Sequence, residues 1–241
     1  MDALWTSKGR LSIGKSLVAI KLEVAKADLV FEAGYPQPEF DLFRDGATLL
    51  DRLFKRLEPY GLHLNDLRVE RGVGNVGDQH ILCYLFNYRM TVRIRVERIE
   101  IICSEFPRDY VEKFGAAIVD VLRAVKDYRP DLHFRAFAVA IGLHAMLQGQ
   151  SIRDYLGRFV ANIPQRLGPS TGNGAVFYFG PEGERPLSTV TVDLSTVVQD
   201  AAYLRIHGIW DAKKVTPDSL SVTADTFVRQ VLDSLGLQFE A

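Results

Sequence analysis

Tyr203, Arg205 and His207 stand at alternate positions in the stretch AYLRIHGIW, residues 202–210. In an extended strand that spacing puts all three on one face, with Leu204, Ile206 and Trp210 on the other. The preceding strand, paired antiparallel, brings Asp193 or Asp200 toward the polar face. A phenol, a guanidinium, an imidazole and a carboxylate together suffice to hold an anion or to move a proton. The competing reading is a solvated sheet face with Arg205 paired to an acid. A second set is Arg89, Arg93 and Arg95, flanked by Asn87 and Thr91. Three guanidiniums along a strand contact phosphates, but single-strand binding also wants aromatic rings on the same face. In one unbroken strand over residues 81–96, Tyr84, Phe86 and Tyr88 take the opposite parity and turn toward the core. Glu100 then faces Arg95 across the following hairpin. This set therefore reads first as a solvated strand face with cross-strand ion pairs.

Other patterns lead away from chemistry. Gly72, Gly74 and Gly77 spell G-x-G-x-x-G. A dinucleotide site needs a helix directly after the glycines, so that its first amides receive the pyrophosphate. The residues after Gly77 alternate with the period of a strand, so the glycines read as a connecting loop. Asp78 and His80 lie two residues apart, but no third metal ligand is near. The histidines, His63, His80, His133, His144 and His207, are scattered, and His144 reads as a core or edge residue with one hydrogen bond. Cys83 and Cys103 are the only cysteines and form no C-x-x-C pair, which argues against structural zinc and against a disulfide scaffold. They read as reduced thiols half-buried in strands. No phosphate-binding loop, zinc-protease helix or nucleophile elbow is present. The expectation is no catalytic motif, no metal and no cofactor, with the reservation that an active site assembled from distant segments leaves no local spacing.

The totals set the frame for these residues. The chain has 241 residues, 29 basic against 30 acidic, and 47% hydrophobic content. Such a balance gives no global attraction to nucleic acid or to an anionic membrane. The first residues lack a basic start followed by an apolar block, so no signal peptide is expected. No window approaches the ~18 apolar residues of a membrane span, and a cytoplasmic location is expected.

The elements that must position the candidate residues read as α+β. Strands are expected over 17–25, 66–71, 81–96, 99–106, 135–146, 174–179, 186–197 and 202–210. Residues 31–40, with Gly34, Pro36 and Pro38, read as a loop. Helical spacing covers 41–60, a stretch from Pro107 to Pro130, a stretch from Ser151 through Ile163, and a last helix capped by Thr223 and ended by Gly236. A tight turn at Glu97–Arg98 sets Val96 opposite Ile99, Ile94 opposite Ile101 and Val92 opposite Cys103. The chain thus reads twice as strand, helix, strand, strand, strand, helix, over 1–131 and 132–241. That order is what an internal duplication leaves, with mainly antiparallel sheets covered by helices. On this reading the loop GPEGERP, 180–186, is the counterpart of GVGNVGDQH, 72–80.

The functional expectation is a non-enzymatic binding protein engaging a protein partner or a second copy of itself, since exposed strand edges invite pairing. Two alternatives stand beside it. One is a small-ligand sensor that uses a groove between the halves, anchored by Tyr203, Arg205, His207 and Asp193. The other is an accessory nucleic-acid binder acting through Arg89, Arg93 and Arg95.

Overall fold

The computed structural model describes residues 19–70, 76–106, 110–159, 174–183 and 185–240. In chain order these form β1 (Ile20–Gly34), α1 (Gly46–Leu57), β2 (Leu67–Glu70), β3 (His80–Leu85), β4 (Met90–Arg95), β5 (Arg98–Cys103) and α2 (Val111–Tyr128). There follow β6 (Ala136–Leu147), α3 (Ile152–Leu156), β7 (Ala175–Phe179), β8 (Leu187–Leu194), β9 (Ala202–Asp211), α4 (Pro217–Ser234) and β10 (Leu237–Phe239). The class is α+β. All the strands join one ten-stranded sheet, in the order β2-β3-β4-β5-β1-β6-β9-β8-β7, with β10 added in parallel to the start of β1. At its centre β1 and β6 run antiparallel over their length, with a bulge near Ala25. Outward from that pair the order is β5, β4, β3, β2 on one side and β9, β8, β7 on the other. Every pairing but that of β10 is antiparallel.

One sheet face carries the core. Phe31, Ile81, Val92, Ile101, Phe137 and Leu204 lie on it with at most 1% exposure. Against it pack Leu49, Leu53 and Leu57 of α1, Val121 and Val125 of α2, and Val228 and Leu232 of α4. Each set recurs at the spacing of one helical stripe. Tyr155 of α3 is fully buried, and its hydroxyl donates to the Leu235 carbonyl at 2.9 Å. Trp210 lies over Gly208 so closely that a Cβ there would sit 2.6 Å from the indole ring. Glycine at that position is a packing requirement.

Several sequence expectations are corrected. Residues 81–96 are two strands, β3 and β4, because the chain reverses at Phe86, Asn87 and Tyr88. All three adopt left-handed backbone, with φ of 53°, 54° and 66°. Such a run is uncommon without glycine. Here Phe86 is held by aromatic packing against Tyr60, Tyr110 and Phe114. The β4–β5 hairpin turns at Val96–Glu97, two residues off the expected register, so Ile94 faces Ile99, Val92 faces Ile101 and Met90 faces Cys103. The turn is fixed from outside, since the Val96 carbonyl accepts from the Glu39 amide and the Glu97 carbonyl from the Tyr35 amide. A two-residue shift preserves the apolar face, which is why alternation alone does not choose between the registers.

Strand β1 extends to Gly34, through residues read as loop. The first half has four strands between its helices, not three, and loop 180–186 lies between β7 and β8, in the place that the Phe86–Arg89 turn takes between β3 and β4. Helix α4 begins at Pro217, seven residues before the position that a Thr223 cap implies, with Thr216 and Ser219 forming a capping box. Pro217 suits the first helical position, where its missing N–H costs nothing. The Ser151 side chain does receive the Asp154 amide at the start of α3, at 3.1 Å. Ile163, expected on that helix's stripe, lies outside the described residues.

Candidate functional site

The second sheet face is not covered by these helices. Register assigns its residues, because directly paired positions project to the same side. One row across the strands passes from Arg68 through Leu82, Arg93 and Glu100 to Glu32, then to Ala138, Ile209 and Leu187. The next holds Tyr84, Thr91, Ile102 and Val30, then Ala140, His207, Thr189 and Tyr178. Gly142 faces Arg205, which faces Thr191, and His144 faces Tyr203, which faces Asp193. Along β6 this face presents Ala136, Ala138, Ala140 and Gly142 in succession, so the middle of the surface is shallow and apolar. Charged and aromatic side chains flank it on both sides.

The four predicted residues Tyr203, Arg205, His207 and Asp193 thus do share one face. Their surroundings within the chain differ from one residue to the next. The Tyr203 ring lies 3.4 Å from where a Cβ on Gly142 would be, and its centroid is 4.9 Å from that of His144. It is packed down onto the sheet. Burial first, and then the charge of Arg205, hold the His207 imidazole below its ordinary range, against a smaller opposing effect of Glu32. At neutral pH the ring is uncharged and serves as a polar, not a cationic, group. Asp193 accepts the amide of Leu194 at 2.7 Å. Arg205 is exposed and has no ion pair among the described residues.

The arginine set divides. Arg89 belongs to the turn, where its guanidinium donates to the Glu105 carbonyl at 3.0 Å. Arg93 and Arg95 project from β4 onto the open face. The corrected register gives Glu100 to Arg93, at 2.8 Å, and not to Arg95. The reversal at Phe86 also corrects the aromatic parity. Tyr84 pairs with Thr91 and stands on the same face as Arg93 and Arg95. It lies beside Tyr88, with centroids 5.1 Å apart, and under Arg68, whose guanidinium carbon is 5.8 Å from its centroid. Arg98, read from sequence as a turn residue, opens β5 and joins this group. Its sequence signal was the turn itself, whose exact place depends on contacts made by residues 35 and 39.

The remaining candidates are occupied or inert. His80 has Nδ1 2.7 Å from the Asp78 carbonyl and Nε2 3.1 Å from the Glu70 carboxylate. No cluster of three metal-ligating side chains occurs among the described residues. Strand β3, not a helix, follows the described end of the glycine loop. His144 is buried, and among the described residues its hydrogen-bond partner is Ser195, with Oγ at 2.8 Å from Nδ1. Cys83 and Cys103 are fully buried, deeper than expected, and burial pushes each thiol up to about 12. A cleft of about 620 Å³ lies on the other side of the molecule's first half, between Phe43, Arg44 and Leu50 and the β2–β3 residues Val69 and Ile81. It touches none of the predicted site residues.

No family model matches the chain, and no curated protein matches it. Among solved structures, it is similar to a rolling circle replication initiator protein from Geobacillus stearothermophilus, at 12% identity and a TM-score of 0.39, over 90% of this chain and 84% of that one. It is similar also to Methanococcus jannaschii TBP, at 12% identity and a TM-score of 0.28, over 90% of this chain and 96% of that one. For the regulatory subunit of aspartate kinase from Thermus flavus the values are 9% and 0.18, over 88% and 99%. Likenesses of this size carry no function across.

Proposed function

We propose that this chain is a non-enzymatic binding protein whose working surface is the open sheet face, and that its partner is a protein. The observation that carries the reading is the continuity of that face, on which Arg93 and Arg95 stand on one side and Tyr203, Arg205, His207 and Asp193 on the other of a shallow apolar middle. Helices cover the opposite side, so the open face offers the largest regular surface for a partner. Its charges are mixed: Arg68, Arg93, Arg95, Arg98 and Arg205 share it with Asp28, Glu32 and Glu100. A mixed rim around an apolar centre suits a protein interface. Self-association belongs to the same reading. Strand β7 is a sheet edge with Val176, Tyr178 and Phe179 exposed by 48%, 79% and 51%. Edge β2 is shorter and charged, which discourages pairing. The mirrored strand order about β1–β6 supports an origin by duplication.

Nucleic acid is the second reading, favoured by the placement of Tyr84 with Arg93 and Arg95. The acids interleaved on the face weigh against it. A small-ligand site at Tyr203 and His207 has less support, because one ring is packed down and the other is uncharged. The test is affinity capture from the source cells with wild type and with an Ala138→Arg, Ile209→Arg variant. These two positions are neighbours in the middle of the face. A protein captured by wild type and lost by the folded variant supports the reading, and equal recovery contradicts it.

A further inference from the structure

At the β4–β5 end of the open face three arginines stand in line without adequate acids. Continuing the β4–β5 register one step past Ile94–Ile99 sets Arg95 opposite Arg98. Arg98 in turn pairs with Gly34 of β1. Over Gly34 comes Arg135, its Nη2 3.9 Å from where a Cβ would lie. Like charges at facing positions destabilise a sheet unless something neutralises them. The Nε atoms of Arg95 and Arg98 are buried and have no hydrogen-bond partner among the described residues. Neither Arg95 nor Arg135 forms an ion pair among those residues, while Arg98 has only Glu32 and Glu97, each at 4.0 Å, beyond hydrogen-bond reach. Arg93, next along β4, shares the unpartnered buried Nε, but its Nη1 has Glu100 at 2.8 Å, an acid within hydrogen-bond reach that neither Arg95 nor Arg98 has.

We infer that Arg95, Arg98 and Arg135 form a seat for a phosphate group. Three forked donors, from β4, from β5 and from the residue just before β6, suit the several oxygens of a tetrahedral phosphate group better than a planar carboxylate. The inference does not rest on a protein partner. It assigns a ligand class to one end of the face, and the phosphate group belongs either to a monoester or to a nucleic-acid backbone.

The test titrates the whole chain with inorganic phosphate, and separately with a short single-stranded oligonucleotide lacking a terminal phosphate. Ionic strength is held constant with chloride, and calorimetry reads binding. Saturable binding is expected, weakened about tenfold or more by Arg95→Ala and by Arg98→Ala. Arg153→Ala, on α3, is expected to change nothing. Should an alanine variant unfold, Arg95→Lys and Arg98→Lys keep the charge but lose the fork, and are expected to weaken binding also. Binding of inorganic phosphate alone points to a monoester, and binding of the oligonucleotide with the same arginine dependence points to a backbone phosphate. Affinities unchanged in the arginine variants, or no binding by either probe, would overturn the assignment.

Discussion

At the scale of single residues, burial decides reactivity. Cys83 and Cys103 face the core from β3 and β5, and desolvation lifts their thiols from an ordinary 9.0 to about 12. Tyr60 and Tyr155 are lifted to about 12 from 10.0, in both cases mainly by burial. All four groups are neutral when protonated, and the folded state keeps the proton longer than the unfolded chain. Below pH 9 both states hold these protons and the stabilisation is complete. Between about 9 and 12 the unfolded chain releases protons that the fold retains, so unfolding gains ground as pH rises. Urea midpoints measured from pH 8 to 11 are expected to be level at first and then to fall. A Cys83→Ala, Cys103→Ala variant is expected to fall less steeply at the start of that range. An identical slope in the variant would show that the thiols do not contribute.

At the scale of elements, caps and turns set what alternation cannot. Thr216 caps α4 through Ser219, whereas Thr223 sits inside the helix and donates its hydroxyl to the Ser219 carbonyl at 2.9 Å. Thr216→Ala is expected to cost about 1 kcal/mol in urea denaturation, and Thr223→Ala clearly less. The reverse order would return the helix start to Thr223. The same contrast explains what the sequence disclosed. Runs such as Tyr203–Trp210 on β9 are legible because each residue's face follows from parity within one uninterrupted strand. The face of Tyr84 is not, because it depends on a reversal at Phe86–Tyr88 that has Asn87 as its sole local cue. The partner of Glu100 is likewise hidden, since the hairpin register is fixed by Tyr35 and Glu39, some sixty residues earlier in the chain. Strand β10 escapes notice because three residues show no period, and its pairing with β1 spans most of the sequence.

At the scale of the molecule, the described helices pack on one side of a ten-stranded sheet and leave its other face uncovered among the described residues. Residues far apart in sequence, such as Arg95 and Arg205, come to that face only because β1 and β6 join the halves in one sheet. No helix among the described residues is long and apolar enough to cross a membrane. The most direct measurement of the face's role places a photo-crosslinking side chain at Ala138, on the open face, or at Arg52, on α1, and irradiates the source cells. A discrete protein adduct is expected from position 138 and none from position 52. Adducts from position 52 alone would move the working surface to the helices and contradict this reading.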